Sequence, residues 1–136
     1  EGYNPDAWDG YDGSRKRVMQ GWERAAVRNP VVLTGDVHSH WANDIRHEGR
    51  TVGTELVTTS ITSGGDGSAE LTDEQKGYLR DIRFYRDQRG YVRTRFRADE
   101  LRVDYRVVPY VQRPGAPVET AASFVVQDGQ PGLHRA

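Results

Sequence analysis

The sequence has no cysteine and few apolar residues. Without cysteine it can form neither disulfides nor thiolate metal ligands. Hydrophobic residues make up 35% of the 136 positions, which is thin for an independent core, and no apolar run is long enough to span a bilayer. The formal net charge is −1, so no global field indicates binding to nucleic acid or to a membrane. The low apolar content favours a piece of something larger.

An initiator methionine and a signal peptide are also missing, because the chain begins Glu1-Gly2-Tyr3. We therefore expect either a cytosolic protein or the trimmed part of an exported one.

The stretch from Asn29 to Trp41 carries the strongest functional signal. Val31–Thr34 is a short apolar run between a proline and a glycine, which predicts a central strand buried on both faces. Asp36 and His38 follow, and an extended backbone would point both side chains to the same side. A carboxylate beside an imidazole suits a metal site, with calcium or manganese at the Asp and zinc or iron at the His. The alternative is a loop histidine hydrogen-bonded to a carboxylate.

Helices are predicted in two places. Ser14 can cap a helix over 14–28, whose apolar stripe would lie across a sheet face. A capping box that begins at Thr72 predicts a second, short helix. Residues 42–53 are polar and predict at most one helical turn.

Strands account for most of the remaining pattern. Residues 54–62 predict a strand beside the one at 31–34, and alternation over 91–97 and 101–108 predicts an antiparallel hairpin. A further strand is expected near 120–127, followed by a polar, disordered tail. The chain is therefore predicted to be α/β and mostly sheet.

Several residues near Asp36 and His38 are candidates for supporting roles. His40 is a candidate for substrate binding or for a position in the second shell of the metal, and Trp41 for a pocket wall. The loop that contains Gly64 and Gly65 either cradles an anion through backbone N–H groups or is an ordinary turn. By contrast, His47 and His134 are predicted to be a surface histidine and a disordered one.

The hairpin over 91–108 has a basic face, which allows two interpretations. An arginine-lined sheet with tyrosines can bind nucleic acid. The near-neutral total charge favours instead a solvated face partly paired with Asp and Glu. We therefore expect no nucleic-acid partner.

Four ordered blocks resemble the C-terminal part of PhoD-type alkaline phosphatases and phosphodiesterases, a group that includes some secreted bacterial phospholipase D enzymes. The resemblance extends from about Asn4 to Val126. The blocks are Trp8-Asp9-Gly10-Tyr11, Leu33-Thr34-Gly35-Asp36-Val37-His38 with Trp41, Thr59-Ser60-Ile61-Thr62-Ser63-Gly64-Gly65, and Arg89-Gly90-Tyr91-Val92. Members of this family are several times longer than this chain.

The resemblance implies a fold and an activity. Residues 1–136 would form the C-terminal part of a metallophosphoesterase domain, one half of a four-layer αββα sandwich. This chain would supply one sheet with its flanking helix, and an absent N-terminal part would supply the other sheet. The implied activity is hydrolysis of phosphate esters by a metal-activated water, with His38 a ligand of Fe3+ and Asp36 a ligand of Ca2+. The resemblance also implies a secreted protein.

The sequence leaves the substrate, the partner and the class of function open. Phosphomonoester, phosphodiester and phospholipid are all possible substrates. The expected partner is the N-terminal fragment of the same enzyme, in a nicked enzyme. A different class of function, a non-catalytic β-rich binding module, is distinguished by its lack of iron.

Overall fold

The computed structural model describes residues 6–67 and 81–136. Within these ranges the chain forms a short 3-10 helix, Trp8–Gly10, one α-helix, α1, over Asp12–Arg24, and eight strands. The strands are β1 Val31–Thr34, β2 His40–His47, β3 Arg50–Val57, β4 Ile82–Arg86, β5 Gly90–Phe96, β6 Glu100–Val107, β7 Glu119–Gln127 and β8 Gln130–Arg135. The prediction of an α/β chain that is mostly sheet is confirmed.

The strands form two four-stranded sheets, ordered β1-β3-β2-β4 and β5-β6-β7-β8. In the first sheet β1 is parallel to β3, and β2 is antiparallel to both β3 and β4. In the second sheet each strand is antiparallel to the next along the chain. The predicted neighbourhood of the first two strands is confirmed, since Leu33 pairs with Leu56. The predicted hairpin is β5–β6, and β7 is the strand expected near 120–127.

The two sheets pack against each other and enclose one apolar core. In β6 every second residue is buried, as a sheet with one covered face requires. The fully buried ring of Tyr105 lies 4.9 Å from that of Phe84 in the first sheet and 6.2 Å from that of Phe124 in its own. The core comprises Ala42, Leu56, Leu101, Val103, Tyr105, Ala122, Phe124, Val126 and Leu133. The expectation that this chain supplies only one sheet is therefore wrong, because the hairpin packs on strands of the same chain.

Helix α1 is shorter than predicted and begins earlier. It starts at Asp12 rather than after a Ser14 cap, and the Ser14 hydroxyl instead accepts a hydrogen bond from Arg17. It ends at Arg24 because Ala26 has φ +49°, a left-handed conformation that stops the helix. Met19 is its buried residue. Neither helix in the described ranges is long and apolar enough to cross a membrane.

Residues 42–53 form strands instead of the helical turn that was predicted. Glu48 and Gly49 both have positive φ, the turn geometry that joins adjacent strands in a two-residue hairpin. His47, predicted at the surface, is buried at the end of β2. The segment was misassigned because three buried residues of β2 are polar: His40, Asp44 and His47.

The C-terminal segment is also ordered, contrary to the prediction of a disordered tail. It forms β8, in which His134 is an exposed residue paired with Val125 of β7. Asn29 holds the preceding turn, since its side chain donates to the Gln127 carbonyl (2.5 Å) and accepts from the Gly129 N–H (3.1 Å). The helix predicted from Thr72 lies outside the described residues, apart from its expected end, where Ile82 begins β4.

Strand β1 is an edge strand in the described part of the chain rather than a central one. It pairs only with β3, and Leu33 is 59% exposed. The prediction of burial on both faces is therefore wrong. A run of four residues is too short to show whether one face of the strand is covered or both.

Candidate active site

The loop between β1 and β2 carries both predicted metal ligands, and its backbone is turned rather than extended. Asp36 has φ +74° and His38 has φ +54°, a left-handed conformation that residues other than glycine rarely adopt. The chain reverses direction here, because β2 is antiparallel to β3 whereas β1 is parallel to it. The predicted extended segment is therefore wrong. Strand alternation therefore gives no reason to expect both side chains on one side.

His38 is held by three side chains from later in the chain. Its carbonyl accepts hydrogen bonds from Thr59 Oγ1 (2.9 Å) and from Arg89 Nη1 (2.5 Å). Its imidazole Nδ1 lies 3.2 Å from Ser63 Oγ. When Nδ1 carries the hydrogen and donates it to Ser63, Nε2 is the unprotonated nitrogen available to a metal ion. Backbone and ring are thus both fixed.

His40 is buried, and its ring connects Thr59, which holds His38, to strand β6. Thr59 N–H donates to its Nδ1 (3.2 Å), and its Nε2 donates to the Arg106 carbonyl of β6 (3.3 Å). Burial lowers the pKa of His40, and this effect outweighs the hydrogen bonds to the carbonyls of Arg106 and Val57, which raise the pKa. The ring is therefore neutral at pH 7, which agrees with one nitrogen that donates and one that accepts. With no exposed surface, His40 cannot contact substrate. Its position behind Thr59 and His38 is that of a supporting residue.

The glycine-rich loop after β3 lies beside His38, as its predicted position required. Gly64 and Gly65 are exposed, and Gly65 has φ +88°. Its carbonyl accepts a hydrogen bond from Arg89 Nε (3.3 Å). The Asp66 carboxylate accepts from the backbone N–H of Val111 (2.7 Å), which ties the loop to the β6–β7 connection. The loop is therefore held by two contacts: one to Arg89, beside His38, and one to Val111.

A cleft of about 770 Å³ opens between the first sheet and the N-terminal segment. Asp36 and Trp41 both line it. Trp41 is fixed by its indole N–H, which donates to Ser39 Oγ (2.8 Å), and by the ring of Tyr85, 4.4 Å away. The buried Tyr105 hydroxyl donates to the Trp41 carbonyl (2.7 Å). The cleft walls also include Asp6, Trp8, Arg15, Thr34, Asn43 and Glu55.

Asp36 and His38 fit metal binding in type but not in number. Among the described residues, the Asp36 carboxylate has no hydrogen bond or ion pair, and the Nε2 of His38 is available. An oxygen donor and an imidazole suit calcium and iron respectively. No group of three or more His, Cys, Asp or Glu in the described ranges could hold a metal ion. These two residues can therefore form only part of a ligand set.

Sequence reasoning did not identify Thr59, Ser63 and Arg89 as neighbours of His38. Each lies within a block that carried the family resemblance. Their role follows from contacts over 21, 25 and 51 residues of sequence, which no spacing pattern encodes.

Comparison with known proteins gives a consistent result. A family model described as PhoD-like phosphatase matches residues 1–105. Alkaline phosphatase D of Bacillus subtilis (strain 168) is 41% identical over 140 residues, covering 98% of this chain and 24% of that protein. A solved structure described as PhoD has a TM-score of 0.89 and 42% identity, covering 98% of this chain and 27% of that one.

This chain thus spans about a quarter of the length of the relatives it matches. The family model nevertheless covers most of its residues, including the loop with Asp36 and His38 and the glycine-rich loop. The chain belongs to the PhoD-like phosphatase family.

Proposed function

We propose that this chain is part of a metal-dependent phosphoesterase in which Asp36 and His38 bind two neighbouring ions. One observation carries the proposal: two successive candidate ligands sit in left-handed conformations in a loop fixed by hydrogen bonds. Such backbone conformations cost energy and tend to persist at functional sites, where the surroundings hold them. Membership of a phosphatase family supports phosphate esters as the substrate class.

The ions proposed are Fe3+ at His38 and Ca2+ at Asp36. When bound, such ions would supply charge neutralisation on the phosphoryl oxygens and a hydroxide formed from water near neutral pH. In this scheme Ser63 orients the imidazole of His38, and His40 supports the loop through Thr59. Trp41 forms a wall of the substrate cleft.

The exposed Gly64 and Gly65 are proposed to face the substrate phosphate. Gly65 is held by Arg89, and the loop lies beside His38. Phosphomonoesters, phosphodiesters and phospholipids share the group that such a site recognises. We propose a secreted enzyme, on the basis of the resemblance alone.

The remaining ligands are proposed to come from an N-terminal part of the same enzyme. Two features support this: no group of three or more candidate ligands comes together within the described residues, and the relatives are about four times as long. The open edge of β1, where Leu33 is exposed, is a suitable place for further strands to join the first sheet. Further helices over the sheets would complete a four-layer sandwich.

The test uses the complete enzyme that contains this chain. Asp36→Ala and His38→Ala are each expected to abolish hydrolysis of a chromogenic phosphodiester and to lower the calcium or iron content. The matched control is His134→Ala, an exposed histidine of β8, which should keep both. Retention of more than about a tenth of the activity in either variant would contradict the ligand assignment. An inactive, iron-free wild-type protein would indicate a binding module instead.

A further inference from the structure

We infer that Arg89 is a positioning residue for His38, acting on the backbone of the ligand loop and not on the substrate. The catalytic consequence rests on the proposed function, whereas the structural part does not. Arg89 lies between β4 and β5, outside the loops that carry the candidate ligands.

The guanidinium of Arg89 joins two loops that are distant in sequence. Its Nη1 donates to the His38 carbonyl (2.5 Å) and approaches Thr59 Oγ1 (3.4 Å). Its Nε donates to the Gly65 carbonyl (3.3 Å). One side chain therefore fixes the distance between the metal-ligand loop and the glycine-rich loop.

The His38 carbonyl is the point at which this contact matters most. A residue with φ +54° keeps that conformation only if its surroundings over-determine it. Here a charged donor and a hydroxyl both bind the same carbonyl, and hydrogen bonds from charged donors are shorter and stronger than neutral ones. Without Arg89 the His38 carbonyl keeps only the neutral donor Thr59, so we expect the peptide after His38, and with it the imidazole, to be held less firmly.

Arg89 can act as a brace because its own backbone is fixed. Its carbonyl accepts a hydrogen bond from Val108 N–H (2.9 Å), and the next N–H, of Gly90, donates to the Ser60 carbonyl (3.2 Å). A Cβ at position 90 would lie 1.9 Å from the Arg106 carbonyl oxygen, so only glycine allows β5 to pass this close to β6. The Arg-Gly pair thus places the guanidinium at a set distance from His38.

Arginine suits this task better than lysine. The three acceptors lie in two loops that are distant in sequence, and a planar fork with fixed N–H directions reaches them together. An ammonium group is a point charge on a flexible stem and fixes fewer relative positions. Arg89→Lys keeps the charge and is therefore the variant that separates positioning from simple electrostatic attraction of phosphate.

The experiment compares Arg89→Ala and Arg89→Lys in the complete enzyme with Arg95→Ala, an exposed arginine of β5. Hydrolysis of a chromogenic phosphodiester gives kcat and KM, and hydrogen–deuterium exchange reports on peptides that cover residues 35–41 and 59–65. Guanidinium chloride is added to Arg89→Ala at low millimolar concentration to test for chemical rescue.

Both Arg89 variants are expected to lower kcat by about 10–100-fold with little change in KM, as loss of a group that orients a metal ligand does. Exchange should rise in both loops, and guanidinium should restore part of the kcat of Arg89→Ala. Arg95→Ala should match the wild type. A loss confined to KM would make Arg89 a substrate contact and overturn the inference, as would unchanged exchange in the two loops.

The His38→Ala result separates the two proposals. If His38→Ala remains active, the proposed function is wrong, and the exchange data alone decide whether Arg89 fixes the loop. If His38→Ala is inactive while Arg89→Ala has wild-type kcat and exchange, the proposed function stands and the role inferred for Arg89 is wrong.

Discussion

The two histidines at the ends of β2 provide a stability test of the hydrogen-bond network behind the site. Both are buried, His40 with 0% and His47 with 8% of its surface exposed. Both ring nitrogens of His40 bind backbone groups, of Thr59 and Arg106. The Nε2 of His47, by contrast, has no hydrogen-bond partner among the described residues. The same substitution, His→Leu, should therefore be much more destabilising at position 40 than at position 47.

The size of each effect follows from the groups left behind. His40→Leu leaves one buried N–H and one buried carbonyl without their partner, at about 1–3 kcal/mol each, or roughly 2–6 kcal/mol together. The added apolar burial of leucine offsets about 1–2 kcal/mol of this loss. His47→Leu removes a buried polar atom that already lacked a partner, so its cost should be below about 1 kcal/mol.

Two measurements check this pair. Urea denaturation of the complete enzyme should show a lower midpoint for His40→Leu than for His47→Leu. Amide exchange in a peptide that contains Thr59 should accelerate by about 5–150-fold in His40→Leu, the factor that corresponds to about 1–3 kcal/mol of local opening. The Thr59 N–H is the direct reporter because it donates to His40.

Equal destabilisation by the two substitutions would refute this reasoning. Unchanged exchange at Thr59 in His40→Leu would also refute it. In that case the Nδ1 contact would contribute nothing to holding the loop, and the supporting role of His40 would have to be abandoned.

Two further predictions concern polar contacts away from the loop. Asp44→Ala should lower the free energy of unfolding by about 1–3 kcal/mol in denaturation curves, because it leaves the buried Leu133 N–H of the opposite sheet, which donates to this carboxylate (2.9 Å), without an acceptor; a cost similar to that of a surface substitution would contradict it. The pKa of Asp104 is lowered below 3.8, first by the Ser123 hydroxyl and then, against burial, by Arg93. A lowered folded-state pKa stabilises the protein above the unfolded value and is lost as the pH falls through the folded one. The stability difference between wild type and Asp104→Asn should therefore shrink from pH 5 to pH 3, and a constant difference would argue against this linkage.

Much of the second sheet was readable from the sequence because its signal is local. The hairpin β5–β6 alternates apolar and polar residues with a period of two, and the structure buries Leu101, Val103, Tyr105 and Val107 of β6 in the same alternation. Its arginines face outward, and Arg93 pairs with Asp104 (2.8 Å), as the interpretation of a solvated, partly paired face predicted.

The first sheet was harder to predict because its inward face is partly polar. Asp44 is buried in β2 since Arg83 and the Leu133 N–H satisfy it, and His40 is buried since Thr59 and Arg106 do. Burial of such residues depends on partners far away in the sequence, so hydropathy patterns place them outside.

The sequence by itself indicated the candidate ligands, the family and much of the strand pattern. Asp36 and His38 could be singled out because carboxylate and imidazole are recognisable donors next to a strand end. Only the tertiary structure decided how they are held, by a left-handed loop pinned by Thr59, Ser63 and Arg89. The physical reason is that backbone strain is stable only when distant segments supply the compensating hydrogen bonds, and those contacts exist only in the folded chain.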